Sequence, residues 1–136
     1  MLKVITRKND FKDLIYSDNK NLAKGEVVLL LTGKIFDHPI RESIQIGENM
    51  HILDDFGRFT NHSCFPTCVV KGNQLVSVKE IKYGDSITFD YNKTEDFLAS
   101  PFLCNCCNKI IAGKLAQSNG LTNLQNVQDI NHKNFH

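Results

Sequence analysis

The sequence predicts a mostly β domain of small curled sheets with few short helices. Three observations predict it. Apolar residues alternate over short stretches, as they do on half-buried strands. Turn clusters rich in Gly, Asn and Asp separate those stretches. Residues 1 to 34 carry no helical periodicity of any length. The bulk numbers agree with one globular domain: 136 residues, 41% hydrophobic and 23% charged. A formal net charge of +1 leaves no strong field for steering onto nucleic acid or an anionic membrane.

Taken in order, Met1 to Lys8 scatters its charges and lacks an apolar core, so no secretory signal is expected there. Asp18-Asn19-Lys20-Asn21 is a turn, because Asn and Asp bond to their own backbone. Lys24-Gly25-Glu26 is a second turn, and Val27 to Leu31 is a strand closed by Gly33. That apolar run is far shorter than the roughly 20 residues a bilayer span needs. Ile44-Gln45-Ile46 and His51-Ile52-Leu53 alternate around Gly47-Glu48-Asn49, which suits a hairpin. Gln74 to Val78 alternates after the turn Lys71-Gly72-Asn73, and Ile87 to Tyr91 is a short β-rich stretch after Tyr83-Gly84-Asp85. From Leu115 onward the composition turns polar and Asn-rich. That tail is expected to be loosely ordered or weakly helical over residues 121 to 130. No internal repeat is present.

The five cysteines are Cys64, Cys68, Cys104, Cys106 and Cys107. An odd count without a signal argues against a disulfide framework and for a reducing, intracellular compartment: cytoplasmic, or nuclear in a eukaryote.

Two segments concentrate chemistry. Arg58-Phe59-Thr60-Asn61-His62-Ser63-Cys64 offers donors and acceptors at almost every position. Phe65-Pro66 follows it, which makes it a fixed loop rather than a helix. Gly84-Asp85-Ser86-Ile87-Thr88-Phe89-Asp90-Tyr91-Asn92 is the second. Taken alone, the first reads as a polar turn and the second as a strand with a core tyrosine.

Together they resemble the signature of the SET-domain family of protein-lysine methyltransferases. Lys24 to Val28, Val78 to Lys82, and Phe102-Leu103-Cys104-Asn105-Cys106 with Gly113 are similar to further parts of that family. The resemblance runs from about residue 14 to 115 and implies a SET-type, β-clip-like fold with a pseudoknot. It implies a SET domain over residues 1–100, a post-SET-like cysteine segment over 101–115 and a polar tail over 116–136. It also implies S-adenosyl-L-methionine as cofactor, with Asn61 and His62 lining its pocket. Arg58 and Phe59 would support that pocket, and Phe102 would cover the adenine. Tyr91 would stand where the pocket meets a lysine channel, and Phe89 would sit where the family places Phe or Tyr to set the number of methyl groups. The implied partner is a protein or peptide with an exposed lysine, with no direct nucleic-acid or membrane binding.

The chemistry asks for such residues. A lysine with a pKa of about 10.4 must lose its proton before it can attack a methyl group. An apolar channel and a nearby cation both favour the neutral amine. The remaining task is alignment. Phe89, an aromatic wall without a hydroxyl, predicts product beyond monomethyl-lysine.

Three departures from the family stand out. The family's early Gly-x-Gly turn would fall at Ile15 to Lys20, where there is no glycine. No tyrosine lies between residues 34 and 57 to line the channel, so Tyr16 or Tyr83 is the candidate substitute. The family's third trailing cysteine is Ile111 here, with Cys107 as a spare thiol. Cys64, Cys104, Cys106 and Cys107 are either a zinc set or small packed hydrophobes. The chain is accordingly either a methyltransferase or a degenerate SET module that binds peptide or cofactor without turnover. A metal or nucleic-acid module lacks basic patches and aromatic platforms.

Overall fold

The computed structural model describes residues 1–118. The expected helix over 121–130 lies outside the described residues. Lys12–Tyr16 (β2) returns antiparallel on Leu2–Thr6 (β1), with Leu2 facing Tyr16 and Thr6 facing Lys12. Val27–Leu30 (β3) packs on Gln74–Ser77 (β9), and β9 on Cys68–Lys71 (β8). Lys34–Phe36 (β4) and Ile44–Gly47 (β5) flank Met50–Leu53 (β6). Thr88–Phe89 (β10) runs parallel to Asn61–His62 (β7). Phe102–Leu103 (β11) pairs with Ile110–Ile111 (β12). Helix is confined to short pieces, chiefly Tyr91–Thr94 (α1) and Lys114–Ser118 (α2). This is the mostly β, SET-like arrangement the residues predict, with no closed barrel among the described residues.

The hairpin between β5 and β6 follows the expected turn, with Asn49 in the left-handed region that Asn tolerates. The loop expected over Arg58 to Cys64 is tighter than a loop: Gly57–Phe59 forms a 3-10 turn and β7 follows it. Tyr91, expected at a strand end, instead opens α1. The Asp90 carboxylate accepts the Asn92 N–H at 3.0 Å and caps that helix, a local bond that competes with continuing the strand.

One core gathers residues from most of the sheets: Leu14 and Tyr16 of β2, Ile44, Ile52, Leu75, Ile81, Ile87 and Phe89. Phe89 is 2% exposed, and burying a side chain of that size contributes about 1.5–3 kcal/mol. Its burial matters for function because β10 is only two residues long and leads directly into Asp90 and Tyr91.

Candidate active site

The two motif segments meet. Parallel pairing sets Thr88 opposite Asn61 and Phe89 opposite His62, and the Ser63 N–H donates to the Phe89 carbonyl at 3.2 Å. Asp13 of β2 fastens both segments. Its buried carboxylate accepts from Ser86 Oγ at 2.7 Å, from Arg7 Nε at 2.8 Å and from Asn61 Nδ2 at 3.3 Å. The Asn61 amide also donates to the Lys12 carbonyl at 2.8 Å, so its NH2 group ties β7 to β2.

His62 sits at the crossing. Its Nδ1 accepts the Tyr91 N–H at 3.1 Å, which places the proton of the neutral ring on Nε2. Nε2 in turn faces Cys64 Sγ at 3.4 Å. Burial holds this imidazole below its ordinary value, against the upward pull of Asp90. The rings of His62 and Tyr91 meet edge to face at 5.3 Å, Tyr91 lies 4.8 Å from Phe89, and Phe102 stands 6.0 Å from both His62 and Tyr91. The Tyr91 hydroxyl donates to the Thr60 carbonyl at 2.5 Å. Burial, then Glu95 and Glu42, push that phenol well above its ordinary value, so it stays protonated.

These groups border an open cavity of about 1160 Å³. Arg58, Phe59, Asn61, His62, Phe89, Tyr91 and Phe102 all line it. Arg58 pairs with Glu42 at 3.0 Å and lies over the Phe59 ring at 5.5 Å. The turn that borders the cavity is Lys8 to Lys12, not Ile15 to Lys20: Ile15 and Tyr16 belong to β2 and are buried. Asn9 and Asp10 in that turn carry φ of 61° and 59°, left-handed angles that Asn and Asp reach more readily than other side chains. Neither expected tyrosine reaches the cavity. The Tyr16 hydroxyl donates to the Lys20 carbonyl inside the fold, and Tyr83 is 59% exposed on the surface. Glu95, which the motifs did not single out, does line it.

The cysteine segment docks beside this cavity. Asn92 holds it: Nδ2 donates to the Ile110 carbonyl at 3.0 Å, and Oδ1 accepts the Ala112 and Gly113 N–H groups at 3.2 and 3.0 Å. Gly113 has φ of +107°, and a Cβ there would lie 2.5 Å from the Asp96 carbonyl oxygen, so only glycine fits. Ile111 is buried in the core and has no part in the thiol cluster. Cys107 approaches instead. Cys64 Sγ lies 3.8 Å from Cys104 Sγ and 2.7 Å from Cys107 Sγ, with Cys104 and Cys107 3.6 Å apart. Cys106 Sγ accepts the Cys64 N–H at 3.3 Å.

Two thiolates on one tetrahedral zinc stand about 3.8 Å apart, given Zn–S bonds of about 2.3 Å. Two of the three sulfur pairs have that spacing, and the exposed Cys107 must shift outward by about 1 Å to match it. Burial pushes the Cys104 thiol up, but N–H groups of Lys109 and Cys107 and the thiols of Cys106 and Cys107 outweigh it and bring it down to about 6. That is the ionised form a metal takes. His62 Nε2 also lies within 4.8 Å of the sulfurs of Cys64, Cys104 and Cys106. The proton on Nε2, required by the Tyr91 N–H bond on the opposite nitrogen, disfavours His62 as a fourth ligand, and Cys107, 2.7 Å from Cys64 Sγ, is the alternative to it.

The chain is similar to the histone-lysine N-methyltransferase ASHH2 of Arabidopsis thaliana, with 38% identity over 71 residues, taking in 43% of this chain and 4% of that protein. The chain therefore matches only a small part of that relative's length. No family model matches the chain.

Proposed function

We propose that this chain is a SET-type protein-lysine N-methyltransferase that uses S-adenosyl-L-methionine. The observation that carries the reading is the parallel pairing of β7 with β10. It sets His62, Phe89 and Tyr91 on one wall of a cavity large enough for a cofactor and a lysine side chain. The partial similarity to a histone-lysine N-methyltransferase supports the same class and a lysine-bearing protein as substrate.

S-adenosyl-L-methionine, when bound, supplies a methyl group on a cationic sulfonium. The chain's residues would do the rest. The aromatic groups of Phe102, Tyr91 and His62 form an apolar surface for the adenine, and Phe59 and Arg58 close one side. Thr60, which lines the cavity, keeps a buried hydroxyl oxygen without a partner among the described residues, a group that a bound ligand could satisfy. The Tyr91 hydroxyl directs its hydrogen bond to the Thr60 carbonyl, which leaves its oxygen as an acceptor. An acceptor beside the reacting nitrogen orients a lysine amine, and correct alignment is worth several kcal/mol of barrier. Phe89 offers no hydroxyl, which leaves a methylated amine room to turn and favours product beyond monomethyl-lysine. Zinc on Cys64, Cys104, Cys106 and Cys107 would supply a structural crosslink between β7 and the C-terminal segment that carries Phe102.

Thermal unfolding with and without S-adenosyl-L-methionine tests cofactor binding through linkage, with a stabilisation of about 2.7 kcal/mol at a hundredfold excess over Kd. Core histones with methyl-labelled cofactor test turnover, and mass spectrometry reads the degree of methylation. Tyr91→Phe should lower the rate about tenfold or more with the cofactor shift retained, whereas Asn61→Ala should weaken the shift itself. The absence of any cofactor-induced shift sinks the reading. A shift without turnover on any lysine-bearing protein points to a binding module, a reading that the glycine-free turn at Lys8 to Lys12 favours.

A further inference from the structure

Glu95 is 2% exposed and lines the cavity close to Tyr91. Its backbone N–H donates to the Tyr91 carbonyl at 2.9 Å, so the two side chains rise from one helical turn. One carboxylate oxygen, Oε2, accepts the Gln45 N–H at 2.7 Å. The other, Oε1, has no hydrogen-bond partner among the described residues, and no ion pair reaches it there. Lys114 pairs with Asp96 at 3.5 Å and acts on the Glu95 carboxyl only through its charge, without an ion pair to it. With no partner and not fully enclosed, Oε1 of this cavity-lining residue keeps a surface at which a cation from outside can meet it.

We propose that Glu95 is the receiving carboxylate for the substrate lysine: Oε1 binds the incoming ε-ammonium beside Tyr91 and takes its proton. The inference rests on the methyltransferase reading. In the proton step, one N–H bond of Lys–NH3⁺ breaks and its electron pair stays on nitrogen. A new O–H bond forms on Glu95, giving a neutral amine and a neutral carboxylic acid. Where bound cofactor and substrate exclude water this neutral pair is favoured, because burial penalises both charged forms. Burial, and then Asp96, raise the Glu95 carboxyl to about 7, against the Gln45 N–H bond and Lys114, which lower it. A carboxylate so shifted is a far better proton acceptor near neutral pH than an exposed glutamate. Asp96, beside Glu95, and the neutral Tyr91 phenol are the other titratable groups that act on this carboxyl or feel it.

The test uses the full chain. Glu95→Gln keeps the acceptor for Gln45 N–H and removes the proton acceptor. On core histones its rate should fall about a hundredfold. Its pH–rate profile should lose the limb near neutrality and rise only in the alkaline range where lysine itself deprotonates. Glu95→Asp should recover part of the rate. Independently of turnover, n-butylammonium chloride titrated into ¹³C-labelled wild-type protein should move the Glu95 carboxyl resonance and lower its titration midpoint by about one pH unit. n-Butanol should do neither. If the wild type turns over while Glu95→Gln keeps its rate within twofold and an unshifted profile, the proton role is overturned and methyl transfer stands. A Glu95 resonance indifferent to butylammonium overturns the binding role even if the variant does not fold. Butylammonium binding without any cofactor-induced shift keeps the amine site and overturns the methyltransferase reading.

Discussion

Asp54 decides whether the segment leading into the site is held, and replacing it tests that. The side chain is buried, and its carboxylate accepts from Thr32 N at 2.8 Å, Phe56 N at 2.8 Å and Gly57 N at 2.6 Å. These bonds clamp the 3-10 turn that presents Arg58 and Phe59 and launches β7. Hydrogen bonds to a charged group are worth roughly 1.5–3 kcal/mol each, and water can replace part of that loss at the exposed Phe56. Counting about 1–1.5 kcal/mol for each of the three bonds, Asp54→Ala should cost about 3–4.5 kcal/mol. That is a large share of the 5–15 kcal/mol of a typical domain. Asp54→Asn should be milder. Its oxygen can keep the Phe56 and Gly57 bonds, both made to Oδ1, but its NH2 would face the Thr32 N–H. Donor against donor costs about 1–2 kcal/mol. Urea unfolding followed by far-UV circular dichroism, with the denaturant slope unchanged, gives both numbers. An alanine variant within about 0.5 kcal/mol of wild type, or an asparagine variant as weak as alanine, refutes the clamp.

Gly113→Ala should lower stability by roughly 2 kcal/mol or more, since the added Cβ meets the Asp96 backbone, and thermal unfolding reads it directly. The protein as purified should carry one zinc per chain by elemental analysis. Chelation or Cys104→Ser should lower the melting temperature, and an unchanged melting temperature in metal-free protein would return the cysteines to the role of packed thiols. Glu95 gives a pH signature. Its folded-state value, about 7, lies above the ordinary 4.5, so the folded chain holds a proton that the unfolded chain has released between those values. Its contribution is complete below pH 4.5 and is lost as pH rises through about 7. Wild type should therefore lose about 3 kcal/mol relative to Glu95→Gln from pH 4.5 to 8, and parallel stability curves for the two would contradict the buried carboxylate.

The legible part of the site is the part written contiguously. Asn61, His62, Phe89, Tyr91, Phe102 and the cysteines stand in short strings whose spacing carries the resemblance. The turn bordering the cavity was misplaced, because Lys8 to Lys12 holds no glycine and its left-handed residues are Asn and Asp, which mark turns anywhere in a chain. Asp13 and Glu95 carry no signal in the sequence, and Asn92 closes the second motif with no role assigned to it. Each is an ordinary polar residue until pairing buries it against partners far away in sequence, Ser86 for Asp13, Gly113 for Asn92 and Gln45 for Glu95.

Alternation and turn chemistry alone decided the class of fold, because strand faces and left-handed turns are local properties of neighbouring residues. Whether a tyrosine hydroxyl is spent on a backbone carbonyl, which thiols lie beside Cys64, and which carboxylate ends up buried at the cavity are questions of burial and distance. Those quantities exist only once β7 lies along β10 and the C-terminal segment is pinned by Asn92, so the tertiary structure alone could set them.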